Sequence, residues 1–149
     1  MNAVENKILA VCMTVITPLI FMFGFYIQFH GKVSPGGGFQ SGIIFAIPFV
    51  VYMILYGNGT RAGKCMIDTN IFCNIACFGV LFYLGIGFIT DIMGSNFLGY
   101  AILHKERRLA EQIGIFIAET GVCMTVFGAM CTIFKEMYSY INREKEASY

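Results

Sequence analysis

Residues 8–29 read ILAVCMTVITPLIFMFGFYIQF, a run without one charged side chain. A helix needs about 20 predominantly apolar residues to cross a hydrocarbon core of about 30 Å, and this run supplies them. It is too long for the apolar core of a signal peptide, and no small-x-small cleavage pattern follows, so it reads as a retained first transmembrane helix. Working outward, three more such runs follow. Residues 39–56 lie inside a charge-free stretch over 33–60, residues 70–92 are closed by Asp91, and residues 113–134 contain a single carboxylate, Glu119. The expectation is one all-α integral membrane domain over residues 1–149: a bundle of four transmembrane helices with a Gly-rich turn before the second and a polar tail over 135–149. Four spans place both termini on one side.

Composition points the same way. Hydrophobic residues make up 57% of the chain and charged ones 13%, about half the charged share of an ordinary soluble domain. There is too little charge to build a water-facing shell. The formal net charge is +1, and no basic cluster is interleaved with aromatics, which excludes a nucleic-acid binder. The cysteines Cys12, Cys65, Cys73, Cys77, Cys123 and Cys131 lie in or at the edge of apolar runs. Cys73 and Cys77 share a helix face, but no histidine or second cysteine pair completes a tetrahedral metal set, so they read as small apolar fillers. No cofactor motif and no nucleophile beside a base appears, so an enzyme is not expected. Lys7, Arg61, Lys64, Lys135, Arg143 and Lys145 fall on the terminal side, against Lys32, Lys105, Arg107 and Arg108 on the other. That bias places the termini in the cytoplasm.

Between the first two runs lies HGKVSPGGGFQSG, residues 30–42. It is not a phosphate loop, because Lys32 is followed by Val33 rather than by a hydroxyl residue. It is not a dinucleotide fingerprint either, since Ser41 stands where the third glycine belongs. Local geometry offers a structural reading. Ser34 caps a helix with Pro35 in its first position, Gly36 and Gly37 let the chain turn at the membrane edge, and Gly38 with Gly42 forms a G-x-x-x-G face for close helix approach. Pro18 and Pro48 fall inside spans and free the carbonyls of Thr14 and Ile44.

The same stretch resembles the signature loop of the B-type chain in the Mrp/Mnh multisubunit sodium/proton antiporter family. The last span, GIFIAETGVCMTVFGAM over residues 114–130, is similar to that family's last helix. Ser41 is a departure, standing where the family more often has a second glycine. The resemblance implies an accessory subunit of a complex in the cell (inner) membrane that exchanges monovalent cations, sodium above all, for protons. Sodium ions and protons would be the transported species, and the other antiporter subunits and the lipid bilayer the partners. Related chains also occur in ion-translocating membrane-bound hydrogenases and other complex I-related assemblies, the alternative reading. Pro35 and Phe39 are the loop positions carried over from the family.

Among polar residues, Glu119 stands out. A carboxylate at the centre of a span costs about 2.5–3.5 kcal/mol to insert. Glu119 lies roughly 9 Å into its helix at about 1.5 Å per residue. It fits either a proton or cation path or a hydrogen bond that holds a partner helix in register. Gln112, seven residues earlier, shares its helix face. Topology adds His30 and Asp91 to the same membrane half, so these four border an expected polar entrance beside the glycine loop. Residues 104–112, HKERRLAEQ, suggest a short amphipathic helix in the interface or a docking segment. Gly79, Gly85 and Gly87, with Gly114, Gly121 and Gly128, suit close packing within the chain or against partners.

Overall fold

The computed structural model describes residues 3–30, 37–56, 68–102 and 106–147. They form four long helices: α1 (Ala3–His30), α2 (Gly38–Tyr56), α3 (Thr69–Ile92) and α4 (Arg107–Ala147), with a short 3-10 turn at Tyr100–Ile102 before α4. The all-α membrane architecture expected from the sequence is the one found. Within α1, α3 and α4, the segments Ile8–His30, Thr69–Ile92 and Arg107–Ile141 are long and apolar enough to cross a membrane, and α2 is apolar over Gly38–Ile54. At about 1.5 Å per residue, α2 is close to the thickness of the hydrocarbon core.

The helices pack as a row rather than a square. α4 packs extensively on both α2 and α3, whereas α1 rests on α2 and touches α4 only lightly. Lipid tails are as apolar as leucine, so burial of side chains gives little drive for helices to associate, and close backbone approach takes over. Each seam accordingly carries glycine. On the α3–α4 seam, a Cβ on Gly79 would stand 2.6 Å from the Thr125 nitrogen, and one on Gly128 would stand 2.5 Å from the Phe72 carbonyl oxygen. The Thr125 hydroxyl donates to the Gly121 carbonyl at 2.9 Å and faces the Ala76 carbonyl across the seam at 3.4 Å. Further along, Cys73 Sγ and Thr132 Oγ1 meet at 3.7 Å. On the α1–α2 seam the Phe45 ring fills the notch left by Gly24.

Where the seams converge, Phe49, Phe72 and Phe127 meet edge to face, at centroid distances of 6.3, 5.2 and 6.1 Å. Ala46, Met53 and Cys131 are buried beside them. Phe21 joins α1 to this cluster through Phe45 and Phe49.

The end of α3 is closed by a Schellman turn. The Gly94 N–H donates to the Asp91 carbonyl at 3.0 Å and the Ser95 N–H to the Thr90 carbonyl at 3.1 Å. Gly94 sits at φ 86°, where a side chain would be strained. The buried Thr90 hydroxyl then accepts the Leu98 N–H at 3.1 Å. The connection returns over the helices, Phe97 seating on Gly87 and Tyr100 on Gly114. Burial pushes the Tyr100 phenol above its ordinary range, and Tyr83 adds to the rise.

Three helix limits differ from expectation. α2 begins at Gly38, not at Pro35. Gly37 is its cap, accepting the Ser41 N–H at 3.1 Å, while Ser34, Pro35 and Gly36 lie outside the described residues. The segment expected as a separate amphipathic helix is, from Arg107 on, the first turns of α4. Its Ala110 is fully buried, and an Arg107–Glu111 pair at 2.9 Å spans one turn. The polar tail continues α4 to Ala147, because its Lys, Glu and Arg residues are strong helix formers. α1 runs unbroken past Pro18 and α2 past Pro48, and the Thr14 hydroxyl bonds back to the Ala10 carbonyl at 2.9 Å.

The seams make a direct prediction. Gly79→Ala and Gly128→Ala each wedge a methyl against backbone and should cost about 1–3 kcal/mol. Gly85, whose Cβ would meet nothing within 4 Å, should tolerate alanine and gain up to about 1 kcal/mol from helix propensity. Unfolding midpoints of the detergent-purified chain measure the contrast.

Candidate functional site at the head of the second helix

The first turn of α2 lies directly on α4 at Glu119. A Cβ on Gly38 would collide with the Glu119 carbonyl oxygen and stand 3.1 Å from the Cys123 nitrogen. One turn on, a Cβ on Gly42 would stand 2.7 Å from the Cys123 carbonyl oxygen and 3.0 Å from the Val126 Cβ. The G-x-x-x-G face therefore meets α4 of the same chain. Gly37 continues the contact: its φ is 149°, a conformation that favours glycine, and a Cβ there would lie 3.5 Å from Glu119 Oε1.

This geometry gives Glu119 a particular setting. The first N–H groups of α2 have no acceptor within their own helix, and their aligned dipoles place partial positive charge at that end. The carboxyl of Glu119 is thus held, partly buried, beside a surface that favours negative charge. A carboxylic acid so placed can hold or release a proton, or neutralise part of a passing cation's charge.

Behind the α2 head is a buried polar contact between α1 and α2. Ser41, at 0% exposure, reaches Gln28, at 7%, through a hydrogen bond between Ser41 Oγ and Gln28 Oε1. Ser41 Oγ also lies 3.0 Å from the Gly38 carbonyl oxygen. A hydroxyl has one hydrogen and cannot serve both carbonyls. Turning the Gln28 amide over resolves the conflict: Nε2 donates to Ser41 Oγ, and Ser41 donates to Gly38. As placed, the buried Nε2 of Gln28 lacks a hydrogen-bond partner among the described residues.

The other residues singled out in the sequence are more scattered. His30 ends α1 on the exposed side, stacked on Tyr26 at 4.5 Å. Its neighbour Phe29 stacks on Phe116 of α4 at 5.5 Å, which brings the end of α1 to within a turn of Glu119. Asp91 is exposed at the end of α3, and Gln112 is exposed on α4. Phe39, 57% exposed, points away from the α2–α4 seam. The structure thus joins Gly37, Gly38 and Gly42 to the α4 segment around Glu119. Gln28 was missed in the sequence. Its signal was slight: it is the only amide in α1 after Pro18.

Apolar helices of spanning length, glycine seams and a carboxyl at membrane depth define a multi-pass membrane protein. A sequence model described as a domain related to the MnhB subunit of the Na+/H+ antiporter matches residues 8–132. The chain belongs to that MnhB family. Among similar proteins, a putative antiporter subunit mnhB2 of Staphylococcus haemolyticus is 27% identical, covering 87% of this chain and 92% of its own. The B-type chain of the Na(+)/H(+) antiporter of Bacillus subtilis is also 27% identical, covering 82% and 90%. A putative antiporter subunit mnhB2 of Staphylococcus aureus is 28% identical, covering 87% and 92%. No solved structure matches.

Gly38→Ala is expected to cost about 1–3 kcal/mol by forcing α2 off α4. Phe39→Ala, on the exposed face, should stay within about 0.5 kcal/mol. Thermal midpoints of the two variants, compared side by side, give the answer.

Proposed function

We propose that this chain is an accessory membrane subunit of a multisubunit sodium/proton antiporter, in which Glu119 and the head of α2 border an ion path. The observation that carries the reading is the seating of Gly37 and Gly38 on Glu119. It sets a membrane-embedded carboxyl against the positive end of a helix, where a proton and a monovalent cation can compete for one negative charge. Family membership and the printed names of the relatives support the class of assembly.

His30, Gln112 and Asp91 belong to the polar entrance on that side of the membrane, with the glycine loop as its rim. Pro35 and Phe39 shape it by positioning the loop against neighbouring subunits. The chain resides in the cell (inner) membrane with both termini cytoplasmic, and it works with the other antiporter subunits rather than alone. Apolar side chains exposed along α1, among them Val11, Val15, Leu19, Met22 and Phe23, face lipid or those subunits.

Gentle extraction of the tagged protein should therefore bring down further antiporter subunits at fixed ratio. In membranes carrying the assembled complex, Glu119→Gln should lower sodium/proton antiport about tenfold or more, equivalent to about 1.4 kcal/mol. Phe39→Ala should lower antiport without loss of assembly. Wild-type antiport in Glu119→Gln would remove the proposed path.

A further inference from the structure

We infer that Gln28 and Ser41 are positioning residues for Glu119: their buried contact fixes the head of α2, and with it the Gly37–Gly38 surface that faces the carboxyl. Ser41 holds that turn twice. Its N–H donates to the Gly37 carbonyl at 3.1 Å, and its hydroxyl lies 3.0 Å from the Gly38 carbonyl. These two residues face Glu119: a Cβ on Gly38 would collide with its carbonyl oxygen, and one on Gly37 would stand 3.5 Å from its carboxyl. Gln28 secures Ser41 from the opposite side.

The contact joins α1 to the α2–α4 seam through hydrogen bonding at a level where the other described α1 contacts are aromatic, Phe25 on Phe45 at 5.0 Å and Phe29 on Phe116 at 5.5 Å. Rings can slide over one another with little change in energy, whereas a hydrogen bond in a medium without water fixes distance and direction. The unpartnered atom of Gln28 is informative too. Burying an unsatisfied amide group costs about 1–3 kcal/mol, and an apolar side chain of equal length would avoid that cost. Pure packing does not require an amide here; holding Ser41 does.

The role in transport rests on the reading of Glu119 given above, whereas the positioning itself can be tested apart from it. Dicyclohexylcarbodiimide is a lipid-soluble reagent that modifies protonated carboxyl groups, and peptide mass spectrometry quantifies its addition at Glu119 in membranes holding the assembled complex. The informative variant is Gln28→Met with Ser41→Ala, which removes both polar partners and leaves no orphan, so that assembly should survive. Its Glu119 should be modified at least about threefold faster than in the native chain, because the α2 head withdraws both its cover and its partial charge. Gln28→Met alone, which leaves Ser41 its contact with Gly38, is a milder second variant and should show a smaller rise in the same direction. Native labelling rates in the assembled variants would overturn the inference and reduce the pair to a packing contact. Glu119→Gln supplies the blank for the labelled peptide. Native antiport in Glu119→Gln would defeat the transport reading while leaving the labelling comparison intact.

Discussion

Helices in a bilayer gain little from hiding apolar side chains from one another, because the lipid they displace is equally apolar. What holds this chain together is the close approach of backbones along glycine seams, and the seam between α2 and α4 governs the rest. Gly38 and Gly42 set α2 against the α4 backbone from Glu119 to Val126. With that contact made, Phe45 and Phe49 are presented to α1 on one side and to Phe72 and Phe127 on the other. α4 serves both neighbours: Gly121, Thr125 and Gly128 face α3, while Cys123 and Val126 face α2.

This arrangement links the fold to the chemistry. A carboxyl deep in a span is costly unless its surroundings compensate for the lost water. Here compensation comes from the fold itself, since the helix whose head lies on Glu119 is positioned by the same glycines that form the seam. Gln28 and Ser41 add a directional bond to a contact otherwise set only by shape. Changing the seam would then change stability and the environment of Glu119 together, whereas changing Gln28 and Ser41 would affect chiefly the second.

Much of this was legible in the sequence. The uncharged runs located three of the helices to within a few residues at nearly every end, because the thickness of a bilayer sets their length. The G-x-x-x-G face was also legible, though not that its partner is α4, since spacing alone does not say which surface a smooth face meets. The expected span over 39–56 meets the observed head of α2 at Gly38; Gly37, at φ 149°, caps that turn, and the cap expected at Ser34 lies outside the described residues. α4 reaches past Phe134 to Ala147, because the charged residues there mark where its surroundings become polar and not where the helix ends. Gln28 escaped notice for a physical reason: one amide in an apolar helix has meaning only through what it touches, and Ser41 is thirteen residues away.

Everything described for Glu119 depends on the head of α2 lying on α4 beside it. Oxidative cross-linking tests that contact most directly, in a chain whose cysteines other than Cys123 are replaced by alanine. Ser41→Cys should join rapidly to Cys123, because Gly38 and Gly42, which flank position 41 on α2, both stand against the Cys123 backbone. Phe39→Cys, on the exposed face, should not. Efficient joining at 41 alone is the predicted result. No joining at 41, or equal joining at 39, would mean that α2 meets some other surface and that the setting described for Glu119 does not exist.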